Sequence, residues 1–161
     1  MLPEFELATY EVHREDKGFS LLLVPPESLP TVWPYVKLKL EERPELWDLG
    51  HAEDTLLAAL MQEKMQLWLM IEEREVLLSL LTQIWQYPNG VKSLQIVWGT
   101  GERLGEFLEI LSAGLEEFAH KHTAAFMEVQ GREGFKRVLR RLGYRMLSTT
   151  YIKPLSRKGL N

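Results

Sequence analysis

Apolar positions along this chain change period several times, and each change marks an element. Residues 5–13 alternate loosely, the pattern of a strand or an extended arm. "GFSLLLVPP" is apolar over residues 19–24 except at Ser20 and stops at Pro25-Pro26, which predicts a short buried strand. A helix is expected next, capped by Ser28 or Thr31 and running through Trp33, Val36 and Leu40 to about Glu42. Pro30 suits its start, and Pro34 is tolerable only in a first turn. "RPELWDLG" reads as a turn. A second helix follows from about Ala52, with Leu56, Leu57, Leu60, Met61 and Met65 at helical spacing.

The centre shortens its period to two. "MQLWLMIEE", "EVLLSLLTQIWQYPNG" and "VKSLQIVWG" predict a meander of three antiparallel strands, with Pro88-Asn89-Gly90 as a strong turn signal. Gly99-Thr100-Gly101 is expected to open a helix with the stripe Leu104, Phe107, Leu108, Leu111, Leu115 and Phe118. "AAFMEVQG" predicts a strand, "REGFKRVLRRLG" a helix and "YRMLSTTYIKPL" a last strand. The expected order is β-α-α-β-β-β-α-β-α-β. That is an α+β class domain with a mixed, mainly antiparallel sheet flanked by helices. One domain over residues 1–161 is expected, with residues 1–18 as a strand or arm and 156–161 as a tail.

Composition narrows the chemistry. There is no cysteine, so a disulfide, a thiolate nucleophile and a cysteine metal site are all excluded. The first sixteen residues carry acids and no uncharged apolar stretch, so a secretory signal is not expected. No run approaches the roughly 20 apolar residues that span a bilayer, so no membrane partner is expected either. Charge is divided unevenly. Residues 132–161 hold nine Lys or Arg against one acid, a net +8, and residues 1–131 hold ten against 22, a net −12. Such a split suits head-to-tail self-association, an acidic partner or a phosphate-bearing ligand, or simply a solvated basic helix face.

The element order, the strand-loop-helix at "LQIVWGTGERLGEFLEIL" and the helix closing on Gly143-Tyr144 resemble the GNAT superfamily of acetyl-CoA-dependent N-acetyltransferases. The resemblance is strongest over residues 66–155. A narrower likeness is to small GNAT-like proteins of tailed bacteriophages, carried by Gln66-Leu67-Trp68, Thr82 and Gly131-Arg132-Glu133-Gly134-Phe135.

In that superfamily the cofactor pyrophosphate rests on backbone amides at the start of the helix after the fourth strand, an anion site made by free N–H groups and the helix dipole. The family loop is Gln or Arg, two residues, Gly, one residue, then Gly or Ala. With Gly105 last, Thr100 and Arg103 fill the other positions; with Gly101 last, Ile96 fills the first. Neither register matches. Gly99, Gly101, Arg103 and Gly105 are the cofactor-binding candidates that remain. The competing view is that Gly99 and Gly101 only make the turn, while Gly105 permits close helix–sheet contact.

The last helix of the family often carries a Tyr that protonates the departing thiolate. Anchored on Gly143-Tyr144, the resemblance places Arg132, Phe135 and Leu139 at the family's Asn, Ala and Tyr positions, and leucine donates no proton. The strand over residues 94–98 has no base. Glu72, Glu73 and Glu75 fall in an expected hairpin turn, where solvated charge is the default. Glu128 is the remaining catalytic candidate, with an ion pair to Arg132 or another basic neighbour as the alternative. His120 and His122 share no helix face, so no metal site is expected. The basic helix residues Arg137, Arg140 and Arg141 are partner-binding candidates. Specific nucleic-acid binding is not expected, because the helix lacks interleaved aromatics and the rest of the chain is acidic. Most of the five Trp residues should lie in the core, and any left exposed suits a protein contact.

Three functional expectations follow. The first is a phage-type GNAT-like protein with degenerate chemistry, requiring no cofactor. It would be a structural or interaction component of a virion or the host cytoplasm, with other protein subunits or its own copies as partners. The second is a working N-acetyltransferase, using acetyl-CoA and a water in place of the missing acid. The third is a non-catalytic acyl-CoA binder.

Overall fold

The computed structural model describes residues 11–42, 53–129 and 135–148, together with Tyr151, Lys153 and Leu155. The chain divides into two compact units, residues 1–130 and 131–161.

In the first unit a hairpin joins β1 (Glu11–Asp16) to β2 (Phe19–Leu23). Its two turn residues, Lys17 and Gly18, both take positive φ, as a tight hairpin requires. Residues 5–10 of the expected arm lie outside the described residues. After a 3-10 turn (Pro26–Ser28) come α1 (Leu29–Glu41) and α2 (Glu53–Met61). Pro34 lies inside α1, past its first turn. It is exposed, so the carbonyl it leaves without an intrahelical donor can turn to solvent. The predicted turn over residues 43–50 lies outside the described residues.

The meander is β3 (Met65–Glu72), β4 (Glu75–Gln86) and β5 (Lys92–Gly101). Met65 begins β3 rather than extending α2. The β4–β5 turn closes where Pro88-Asn89-Gly90 predicts it: Gly90 has φ 86°, and the Val91 N–H donates to Asn89 Oδ1 at 3.0 Å. Then come α3 (Leu104–Lys121) and β6 (Phe126–Val129). The six strands lie in the order β1-β2-β3-β4-β5-β6, antiparallel except for the parallel β5–β6 pair.

Strand alternation sends side chains to two faces. The back face packs Phe19, Leu21, Trp68, Met70, Leu80 and Leu94 against Phe107, Leu111, Leu115 and Phe118 of α3. The front face packs Leu22, Leu67, Leu69, Leu81 and Trp98 against Val32, Trp33, Val36 and Leu40 of α1 and Leu56 and Leu60 of α2. A bulge controls β5. Leu81 pairs with Trp98 but Thr82 pairs with Ile96, so Val97 is an extra residue. Inserting one residue reverses the parity: Leu94 belongs to the back cluster and Trp98 to the front one.

The second unit contains α4 (Lys136–Arg141); residues 132–134 of the helix expected from Arg132 lie outside the described residues. Gly143 closes it at φ 94°, with its N–H on the Arg140 carbonyl and the Tyr144 N–H on the Leu139 carbonyl. This six-to-one and five-to-two pair of bonds is what a glycine in the left-handed region makes possible. The expected last strand is corrected: the described residues 144–148 form none. Their apolar alternation suits a strand, but a strand also needs a partner, and Met146 and Leu147 stand exposed.

Candidate functional site

The loop expected to hold a cofactor differs from its prediction in three respects. Gly99, Thr100 and Gly101 belong to β5 and pair with Leu80, Ser79 and Leu78, so they make no turn and open no helix. Glycine is required at Gly101 because a Cβ would lie 2.6 Å from the Leu77 carbonyl oxygen. A Cβ at Gly99 would meet the Leu80 Cδ1 at 2.7 Å. Gly105, by contrast, is exposed with nothing within 4 Å of an added Cβ, so it does not serve close helix–sheet packing.

Arg103 caps α3 in the left-handed conformation, φ 58°. Its guanidinium is already engaged. Nε donates to Glu106 Oε2 at 2.5 Å and Nη2 to Glu106 Oε1 at 3.0 Å. Nη1 and Nη2 reach the two Glu72 oxygens at 3.0 and 3.2 Å. These bonds hold the arginine further above its ordinary pKa and draw Glu106 below its own. Glu72, expected as a solvated turn charge, ends β3 in an ion pair. An incoming pyrophosphate would have to displace two carboxylates from this cation, with Glu102 beside it.

Glu128 lies on β6, opposite Gln95 of β5. Its Oε1 accepts from the Tyr87 hydroxyl at 2.6 Å, and its Oε2 from Ser93 Oγ at 2.5 Å and Gln95 Nε2 at 3.0 Å. Gln83 Nε2 donates in turn to Gln95 Oε1 at 2.7 Å. Burial pushes the Glu128 pKa up, but the three donors outweigh it and hold the carboxyl below its usual range. The same bond raises the Tyr87 pKa. A carboxylate stabilised in its charged form is a weak proton acceptor. Arg132, its expected ion-pair partner, lies outside the described residues.

Sequence reasoning found Glu128 but missed Tyr87, Ser93, Gln95 and Gln83. Ser93 and Gln95 are two residues apart on β5, a signal legible only once their register with Gln83 and Glu128 was known. In the second unit, Leu139 is half-buried on α4, and Arg137, Arg140 and Arg141 are exposed. Phe135 precedes that helix and is partly exposed. His122 stacks on Phe118 at 4.3 Å, and no metal-binding cluster occurs among the described residues. Trp33, Trp68 and Trp98 are core; Trp85 is exposed at 47%; Trp47 lies outside the described residues. No helix among the described residues is long and apolar enough to cross a membrane.

No protein-family model matches the chain, and no curated protein matches it in sequence. Solved structures do match in shape. An aminoglycoside acetyltransferase from an uncultured soil metagenomic sample, in complex with sisomicin, superposes with a TM-score of 0.63 at 14% identity over 88% of this chain and 99% of that one. A GCN5-related N-acetyltransferase from Ralstonia eutropha gives 0.60 at 18% identity over 86% and 99%. A ribosomal-protein-alanine N-acetyltransferase from Brucella melitensis gives 0.60 at 8% identity over 84% and 99%. The fold is the GNAT fold. At these identities the likeness is one of fold. Gln66, Trp68 and Thr82, part of the narrower resemblance, form one hydrogen-bonded chain within this GNAT-fold sheet. Trp68 Nε1 donates to Thr82 Oγ1, which donates to Gln66 Oε1, both at 2.8 Å.

Proposed function

We propose that this is a GNAT-fold protein of the phage type with a degenerate acetyltransferase site, serving as a structural or interaction component associated with a virion. The observation that carries the reading is the engaged Arg103: its guanidinium is bound by Glu72 and Glu106, so this cation is not free to supplement the backbone amides on which the family's pyrophosphate rests. Two others support it. Leu139 stands where the resemblance puts an acid, and Glu128 is held as a charged anchor by three donors. The virion association rests on the narrower sequence resemblance. Contact with other subunits or with its own copies is supported by the net +8 of residues 132–161 against the net −12 of residues 1–131.

The test is calorimetry with acetyl-CoA, followed by an acetyl-transfer assay on polyamine and peptide amines. The reading predicts no saturable heat and no turnover. Tight binding with turnover overturns it. One observation favours a second reading, an acyl-CoA binder or transferase: Gly105 leaves open space at the exposed start of α3. On that reading Arg103→Glu loses CoA affinity, and binding without turnover selects the binder over the enzyme.

A further inference from the structure

A cleft of about 190 Å³ opens between α1 and the end of the β4–β5 pair, lined by Tyr35, Lys39, Ser79, Thr100 and Glu102 over Leu77 and Leu78. Ser79 and Thr100 are register partners, two residues along from Leu81 and Trp98, so they share the front face. Ser79 is 1% exposed, and its Oγ has no hydrogen-bond partner among the described residues. Its strand neighbours Leu77, Leu78, Leu80 and Leu81 are all apolar. A hydroxyl so placed calls for an explanation, since buried polar groups are nearly always satisfied.

The walls of the cleft add opposite charges. Lys39 lies 5.9 Å from the Tyr35 ring centroid, and Glu102 donates its backbone N–H to the Leu77 carbonyl. Neither side chain forms an ion pair with a described residue. A simple anion here would face Glu102 unpaired, and a simple cation would face Lys39 unpaired. A small molecule carrying both charges faces neither penalty. Burial raises the Tyr35 pKa, so its phenol remains a donor.

We propose that this cleft binds a small zwitterion of the α-amino acid class. Its carboxylate lies toward Lys39 and accepts from the Ser79 hydroxyl, and its ammonium lies toward Glu102. The site does not depend on acetyl-CoA, so its test is separate from that of the function above.

The experiment is an NMR titration of the full chain with L-alanine, with acetate and ethylammonium as single-charge arms. L-alanine should give saturable shifts centred on Ser79 and Thr100, and each single-charge arm should bind at least about tenfold more weakly. Ser79→Ala should weaken L-alanine by about tenfold, and Lys39→Glu should abolish its binding while improving that of ethylammonium. The proposal is overturned by an absence of saturable L-alanine shifts, or by acetate binding as well as L-alanine. It is equally overturned if both variants, folded by circular dichroism, bind L-alanine as the unaltered protein does.

Discussion

Each face of the sheet buries one tryptophan from its own strands, Trp68 on the back and Trp98 on the front, and their indole nitrogens meet opposite surroundings. On the back, Trp68 Nε1 donates to Thr82, which passes a bond to Gln66, and the ring packs edge-on against Phe118 at 5.0 Å. On the front, Trp98 Nε1 is buried without a partner among the described residues, as is Ser79 Oγ two strand positions away. On the back, the described apolar cluster encloses an indole whose N–H is satisfied within that chain. The front keeps unmet polar groups and, further along, the row Gln83, Gln95 and Glu128. Buried polar groups are normally satisfied, so the two faces differ in a way that substitutions can test.

If the back face is the scaffold, damage there should be the most costly. Phe107 is 1% exposed and packs on Phe19 at 5.7 Å between ring centroids. Phe107→Ala should lower unfolding stability by about 3–5 kcal/mol, measured by urea denaturation. A loss below about 1 kcal/mol would mean that α3 is not essential packing, and the contrast would fail.

The hydrogen-bonded chain is the next test. Thr82→Val preserves shape but leaves Trp68 Nε1 without that acceptor and Gln66 Oε1 without its donor. A cost of about 1–3 kcal/mol is expected in the same measurement. An unchanged midpoint would show that the chain adds nothing beyond packing.

Much of this scaffold was legible in the sequence, because it rests on periodicity. The apolar runs over residues 65–86 mark strands buried on both faces, and the helical stripe from Leu104 to Phe118 marks the buried side of α3. The Pro88-Asn89-Gly90 turn was equally plain. The polar constellations were not legible, since they depend on partners far apart in sequence. Arg103 meets Glu106 three residues away, a spacing readable on a helix, but it meets Glu72 across 31 residues. The single-residue bulge at Val97 decides that Trp98 and Thr100 face front while Gly99 and Gly101 face Leu80 and Leu77, and no composition signal marks it. Over the described residues 144–148 the expected last strand is absent for a related reason: alternation states what a segment suits, not whether it finds a partner.

Glu128 tests the front face through pH. Its folded pKa is depressed by the Ser93, Tyr87 and Gln95 donors against the opposing effect of burial. The charged form therefore contributes stability above its unfolded pKa of about 4.3, and that contribution is lost as pH falls through the depressed folded value. Glu128→Gln should cost about 1–2 kcal/mol at pH 7. The gap from the unaltered protein should close below about pH 4. A gap constant across that range would mean that shape, not charge, is what the position supplies.

The smallest effect is the most diagnostic. Trp98→Phe removes an N–H that has no partner among the described residues, so the lost hydrogen bond is zero and the desolvation penalty of the donor disappears with it. Against that stands the smaller ring, which leaves some volume unfilled beside Leu81 and the front cluster. The two effects oppose each other, and a net change within about 1 kcal/mol of zero is expected. Trp68→Phe makes the same ring change on the back but also strips Thr82 of its donor, so it should cost clearly more. Equal costs for the two substitutions would show that Trp98 is as fully satisfied as Trp68, and the front face would lose its claim to be the unfinished one.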